Sequence, residues 1–269
     1  MNKFHYCSDL HLEFGMVHPT FVGMTGDNLI LAGDITVLRC LNPSLTDKNN
    51  KKTRDRTLKF FEFVQENFKK VYYLTGNHES YGFRIDLEKE YIEKYLPGII
   101  HVNNSVHEID DNTVLMGGTL WTNMNNRNAH TLASVGNGMN DFRIIYKGED
   151  DIWTPEDAAD AFDTTFKFLD DSLEKYKDKN VIVATHHSPT GKGVNPIHSG
   201  NSIDHGYYSN LEQYIIDHPQ IKYWVFGHTH IRTELEFGST KVVSNARGYD
   251  GYEESAKAFG RDPERFFEV

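Results

Sequence analysis

Five short clusters of Asp, His and Asn stand out along the chain: Asp9-x-His11, Gly33-Asp34, Gly76-Asn77-His78-Glu79, Thr185-His186-His187 and Gly227-His228-Thr229-His230. Imidazole and carboxylate groups are accepted readily by divalent transition metals. Two such ions about 4 Å apart need a shared anionic ligand, and an Asp can bridge them. Asp34 is the natural candidate for that position. Residue pairs separated by one position, Asp9/His11 and His228/His230, suit extended backbone, where alternate side chains point the same way. Glycines ahead of Asp34, Asn77 and His228 permit sharp turns and a close approach of backbone to the metals.

Each cluster follows a short apolar run that reads as a buried strand: residues 4–7, 29–32, 71–74, 181–184 and 223–226, with a further run at 114–116. In open α/β sheets ligands bind beyond the carboxyl ends of strands, so this placement converges the clusters on one rim. Between the strands lie patterns of helical period. Leu58, Phe61, Val64 and Phe68 fall on one face, and Ile85, Leu87, Ile92 and Leu96 on another that stops at Pro97-Gly98. A third helix starts with Thr154 as N-cap, Pro155 at the first helical position and Glu156 and Asp157 at the positive end of the dipole, and it turns Phe162, Phe166, Leu169 and Leu173 inward. The alternation predicts a layered α/β fold. With no interdomain linker and no internal repeat, residues 1–269 are expected to form a single domain. Residues 42–52 read as a polar surface loop, and 123–140 and 188–210 as long irregular loops of the kind that often carry function.

Composition narrows the function. The chain of 269 residues is 38% hydrophobic and 13% aromatic, enough for a substantial core. Its net charge of −11 disfavours a long polyanion as partner, since duplex binding draws on clustered Lys and Arg. A small phosphorylated substrate remains compatible, because bound divalent cations reverse the local field. Cys7 and Cys40 make no disulfide framework, which points to a reducing compartment. No apolar run approaches the roughly 20 residues needed to span a bilayer, and the N-terminus has no signal-peptide core. The expectation is a cytoplasmic protein without a membrane partner.

With D-x-H, G-D, G-N-H-[DE], H and G-H-x-H present in full and in order from Asp9 to His230, the chain resembles the calcineurin-like metallophosphoesterase superfamily, and its broad microbial and phage branch in particular. The resemblance implies an α/β fold with a central β-sandwich flanked by helices and two metals at the strand-end rim. It implies one metal held by Asp9, His11, Asp34 and His230, and another by Asp34, Asn77, His186 and His228. Mn2+ is the first expectation for these two divalent ions, with Fe, Zn, Ni or Co also suited to the ligands. A water or hydroxide between them would attack phosphorus in line. His78 would lie near the leaving-group oxygen, as general acid or as a stabiliser of developing charge. Glu79 is read as a structural hydrogen-bonding residue, and the Cys7 thiol as a small buried hydrophobe.

Of the adjacent histidines the resemblance selects His186 as ligand, leaving His187 behind it or facing substrate. Arg143 could grip a phosphate oxygen or pair with Asp141. Trp121 reads as core or pocket wall, His198 and His205 as pocket candidates, and Arg247-Gly248-Tyr249 as a border of the site. Protein Ser/Thr phosphatases of the superfamily extend the second motif to G-D-x-x-D-R-G, whereas this chain has Val37 and Leu38 at the last Asp and Arg. The carboxylate that would orient His78 is therefore missing from its usual place. The implied function is hydrolysis of a phosphomonoester or phosphodiester, on a phosphorylated small molecule or a nucleotide-like substrate. The alternatives are a nuclease, against which the absence of a basic stripe counts, and a binding scaffold that kept the fold without catalysis.

Overall fold

The computed structural model describes residues 2–15, 24–194, 200–251 and 253–269. The first half carries strands β1 (Lys3–Cys7), β2 (Gly26–Ala32), β3 (Phe68–Leu74), β4 (Phe83–Arg84), β5 (Ile100–His101), β6 (Ser105–Glu108) and β7 (Thr113–Gly118). The second half carries β8 (Ile145–Tyr146), β9 (Asn180–Thr185), β10 (Ile221–Phe226), β11 (Arg232–Phe237), β12 (Thr240–Asn245) and β13 (Phe266–Glu268). Helical segments are α1 (Lys48–Asn67), α2 (Glu88–Tyr95), α3 (Met124–Arg127), α4 (Ala129–Gly138), α5 (Asp141–Ile144), α6 (Pro155–Lys175), α7 (Glu212–Asp217) and α8 (Glu254–Arg261).

The strands build two main sheets, ordered β13-β1-β2-β3-β5 and β11-β12-β10-β9-β7-β6, with β4 and β8 as a separate pair. Pairing is parallel among β1, β2 and β3 and between β9 and β10, so the strands preceding the five clusters end together. The sheets face one another. Phe4, Tyr6, Ile30, Ala32, Tyr72 and Leu74 of the first meet Leu115, Ile182, Ala184, Val225 and Val243 of the second. The alternate side chains point outward: Leu29, Leu31, Val71 and Tyr73 pack against α1 and α2, and Val114, Val181, Val183 and Trp224 against α6 and α7. Burial on both faces explains why these strands read as near-continuous apolar runs. The expected α/β architecture, a sandwich flanked by helices, is the one observed.

Three local expectations are corrected. Leu58 is 41% exposed, and the buried stripe of α1 is Thr53, Thr57, Phe60, Phe61 and Val64. Two threonines enter that stripe because Thr57 Oγ1 finds a partner in Thr36 Oγ1 at 2.8 Å, and Phe68 leaves the helix to begin β3. The polar stretch 42–52 is only partly loop, since α1 starts at Lys48 on a cap formed by Asp47. Nor is 123–140 without structure: Asn128 caps α4, while Asn125 and Asn126 lie in the left-handed region that Asn tolerates better than most residues. Residues 195–199 of the other long stretch, including His198, are outside the described residues. Among the described residues no helix is long and apolar enough to cross a membrane, and both cysteines are buried and free.

α6 begins as the sequence predicts. Thr154 Oγ1 accepts from Asp157 N–H at 3.2 Å, and Asp157 Oδ2 accepts from Thr154 N–H at 2.9 Å, closing a capping box ahead of the helix that covers the second sheet. Replacing Thr154 with Ala is expected to cost about 1 kcal/mol and to lower the thermal midpoint by about 2–4 °C. A melting curve superimposable on that of the wild type would show that the cap contributes nothing.

Candidate metal centre

Beyond the ends of β1, β2, β3, β9 and β10 the chain turns sharply, and the turns carry the clusters. Asp9, His11, Asp34, His228 and His230 all have positive φ, between 48° and 67°. Such backbone costs on the order of 1–3 kcal/mol per residue and concentrates where a site needs it. Gly33 (φ +85°) and Gly76 are held to glycine by more than backbone freedom. A Cβ on Gly33 would come within 2.3 Å of His186 Nδ1, and one on Gly76 within 2.3 Å of Asp34 Oδ1.

The structure brings the seven expected ligands together in two groups that share Asp34. Ligand atoms of Asp9, His11, Asp34 and His230 all lie within 4.8 Å of one another, as do those of Asp34, His186 and His228. Asn77 joins the second group, its Oδ1 at 3.1 Å from His186 Nε2. The imidazoles are oriented from behind. His186 Nδ1–H donates to Ala32 O at 2.8 Å, His230 Nδ1 to Glu253 Oε2 at 2.9 Å, and His11 Nδ1 to Glu13 Oε1 at 3.1 Å. Each Nε2 is thereby turned to the centre, the arrangement that outer partners impose on metal-binding histidines.

Burial works against charge on Asp34, yet the imidazoles of His186, His78 and His11 hold its carboxyl well below the usual range. Burial likewise opposes protonation of His186 and His230, but Asp34 carries the first up to about 9, and Asp9 with Glu253 carries the second up to about 10. His228 is pushed the other way by burial and by His187 and His186, and its Nε2 has no partner among the described residues. His11 Nε2 and His230 Nε2 face each other at 3.0 Å. An orphaned ring nitrogen, two apposed ring nitrogens and buried carboxylates are the donor set that divalent transition metals satisfy. The residues therefore fit the two ions that the sequence pattern implies, and these groups could hold them.

Glu79 ties the turns together. Its Oε2 accepts from the N–H groups of Asp34 (2.9 Å) and Gly76 (2.7 Å), and its Oε1 from Ile35 N–H (2.8 Å) and Tyr73 Oη (2.7 Å). The expected hydrogen-bonding role of this residue has a definite geometry: it fixes the turn after β2 against the turn after β3.

His78 lies at the edge of the centre. Its Nδ1–H donates to Glu13 Oε1 at 2.9 Å, its Nε2 is 3.2 Å from Tyr249 Oη, and its ring stacks on Tyr81 with centroids 4.0 Å apart. Glu13, two residues past His11 in an otherwise unremarked position, thus supplies the orienting carboxylate that Val37 does not. A cavity of about 290 Å³ opens beside His78, lined by Asp34, Asn77, His228 and His230 on the metal side and by Tyr81, Asp141, Asp204, Tyr207 and Tyr249 beyond.

Two expected substrate contacts lie elsewhere. Arg143 is exposed and outside the cavity lining. Its guanidinium donates to Asn137 O and to Asn140 Oδ1, because the short turn α5 points Asp141 inward and Arg143 out. His187 is buried behind His228, with ring centroids 4.2 Å apart, and it also packs against Trp121 at 4.9 Å and His186 at 5.4 Å. Burial and His186 drive its pKa down to about 3, so it stays neutral as packing for the ring of His228. Trp121 is core, and His205 stacks on Tyr208 away from the cavity. Tyr249 does border the site.

The profile of the calcineurin-like phosphoesterase family matches residues 3–232. The chain belongs to that family. It is 26% identical over 277 residues to an uncharacterized protein of Acanthamoeba polyphaga mimivirus, covering 93% of this chain and 92% of the viral one. Its fold is similar to that of the phosphopantetheinyl hydrolase of Mycobacterium tuberculosis, with a TM-score of 0.66 and 14% identity over 92% of this chain and 90% of that one. A dimetal phosphatase from Danio rerio shares the fold at a TM-score of 0.50 and 10% identity, over 90% and 86% of the two chains. Membership makes this a hydrolase of the metal-dependent phosphoesterase class.

Two outcomes follow from this geometry. Glu79→Gln sets an amide NH2 or a weaker acceptor against backbone donors, and should weaken metal binding about 10–100-fold while leaving the sandwich folded, as calorimetric titration with Mn2+ would reveal. Metal must also expel protons from His186 and His230, whose raised pKa values of about 9 and about 10 keep them protonated at neutral pH in the metal-free protein. Apparent affinity is therefore expected to fall as pH is lowered below about 10 at the His230 site and below about 9 at the His186 site, by roughly tenfold per pH unit for each proton displaced. Affinity that does not vary with pH, with no proton release on titration, would be incompatible with these ligands.

Proposed function

We propose that this chain hydrolyses phosphate esters of small molecules at a centre of two divalent transition-metal ions, with Mn2+ the first to test. Asp9, His11, Asp34 and His230 hold one ion; Asp34, Asn77, His186 and His228 hold the other. The observation that carries the reading is the pair of ligand groups sharing Asp34, open to one cavity with a braced histidine at its edge. When bound, the ions supply Lewis acidity, acidifying water and neutralising charge on the phosphoryl oxygens.

The side chains do the rest. His78 presents Nε2 to the leaving-group oxygen, where it donates a proton or a hydrogen bond as the ester breaks. Glu13 accepts from Nδ1–H at 2.9 Å and so fixes both the tautomer and the direction of the ring. Tyr81 stacks on the opposite face and restricts its rotation. A cavity of about 290 Å³ favours a phosphorylated small molecule or a nucleotide-like ester over a long nucleic acid, and the net charge of −11 acts in the same direction.

The test uses metal-free protein with p-nitrophenyl phosphate and bis-p-nitrophenyl phosphate under a Mn2+ titration. Turnover is expected to depend on metal and to vanish in Asp34→Ala because the ions no longer bind. In His78→Ala the metals stay while turnover falls about 10²–10⁴-fold, and Glu13→Gln is expected to lose about 10–100-fold. Undiminished hydrolysis in the presence of a chelator, or a fully active His78→Ala, would sink the mechanism. The ratio of monoester to diester rates then separates the two ester classes.

A further inference from the structure

We propose that the cavity beside the metal centre carries an acceptor subsite, built on Asp141 and Asp204 and walled by Tyr207, that takes a protonated amine on the organic part of the phosphoester. This rests on the phosphoesterase reading and names the kind of substrate that reading leaves open.

The described residues lining the cavity include no Lys or Arg. Those outside the described set, at 1, 16–23, 195–199 and 252, contain neither residue type in their sequence. Apart from Asp34 on the metal side, carboxylates stand there instead: Asp141, Asp204 and Glu253. Glu253 is engaged by His230 Nδ1 and by Tyr249 N–H at 2.7 Å. The other two each keep an oxygen unused, since Asp141 Oδ1 and Asp204 Oδ1 have no hydrogen-bond partner among the described residues. Both side chains are deeply buried, at 1% and 7% exposure, where an acceptor without a donor is strongly disfavoured. Asp204 is held rigidly, because its Oδ2 accepts from the N–H groups of Gly200 (2.5 Å) and Asn201 (3.1 Å).

Asp141 lies near enough to His78 and Asp34 to act on both electrostatically, so the subsite adjoins the end of the cavity where phosphate would sit. Both carboxylates also act on the phenol of Tyr207, whose ring packs on His228 with centroids 5.0 Å apart. One wall therefore connects the acceptors to a metal ligand. The charge pattern is complementary to a single kind of molecule. The metal-side residues would hold cations that attract the phosphate, and the carboxyl groups of Asp141 and Asp204 farther along would attract an ammonium group while repelling a second phosphate or a carboxylate.

Binding of non-hydrolysable phosphonates to the Mn2+-loaded protein tests this by calorimetry. The ligands are alkyl phosphonates of matched chain length ending in an amine, a hydroxyl or a carboxylate. The amine is expected to bind about tenfold more tightly than the hydroxyl, and the carboxylate more weakly than either. Asp204→Asn retains an oxygen for Gly200 and Asn201, and should cut the amine-to-carboxylate affinity ratio by about tenfold; Asp141→Asn should reduce it likewise. A carboxylate that binds as well as the amine overturns the subsite, and so does a ratio unchanged in both variants. Because phosphonates are not hydrolysed, absent turnover counts against the proposed activity, whereas a missing preference counts against the subsite alone.

Discussion

A carboxylate buried away from water must be surrounded by donors, and Glu79 is surrounded by the donors that matter. The backbone N–H groups of Asp34, Ile35 and Gly76 and the hydroxyl of Tyr73 all converge on its two oxygens. Those amides belong to the turns that leave β2 and β3, and buried backbone donors need such partners. By accepting them, one side chain sets where Asp34 points relative to Asn77 and His78. His78 N–H closes the same frame by donating to Asp34 Oδ1 at 2.9 Å. Asp9 does similar work on the second sheet, accepting His228 N–H at 3.0 Å and so joining the turn after β1 to the turn after β10.

The frame concentrates groups that repel one another. Buried carboxylates and strained backbone at five candidate-ligand positions make little sense as a device for stability. Protons on His186 and His230 moderate the conflict in the metal-free protein, and divalent cations would resolve it more fully. The outer partners Ala32 O, Glu13 and Glu253 show how the repulsion is contained. Each takes the outward nitrogen of an imidazole, so that ring orientation is decided before any ion arrives.

The cavity wall is a separate layer of specification. Its metal side comes from strand-end turns, whereas its far side comes from α5, the turn around Asp204 and the segment after β12. Fold and centre are shared widely in such families, while walls of this sort are assembled from connections that differ between members. The tyrosines at positions 81, 207 and 249 give that wall flat aromatic faces against the histidines, and the aspartates give it acceptors.

The residues that could bind metal were legible in the sequence, because each is placed by its own strand and turn. A short apolar run, a glycine and a ligand make a local signal, and five of them in order led to the sandwich, the shared Asp34 and the convergence on one rim. The capping box at Thr154 was legible for the same reason. What could not be read were contacts between distant elements. Glu13 reaches His78 across 65 positions and Tyr249 across 171, and neither spacing leaves a trace in the chain. Arg143 went astray, and the two alternatives for His187 stayed open, because the direction of a side chain depends on the rotation of a single turn, which packing decides. α5 turns Asp141 into the cavity and Arg143 out, and His187 is drawn into a stack between Trp121 and His228. Ordered local motifs, through their resemblance to a known family, singled out the candidate ligands; the polarity of the pocket around them arose only when separate loops met in space.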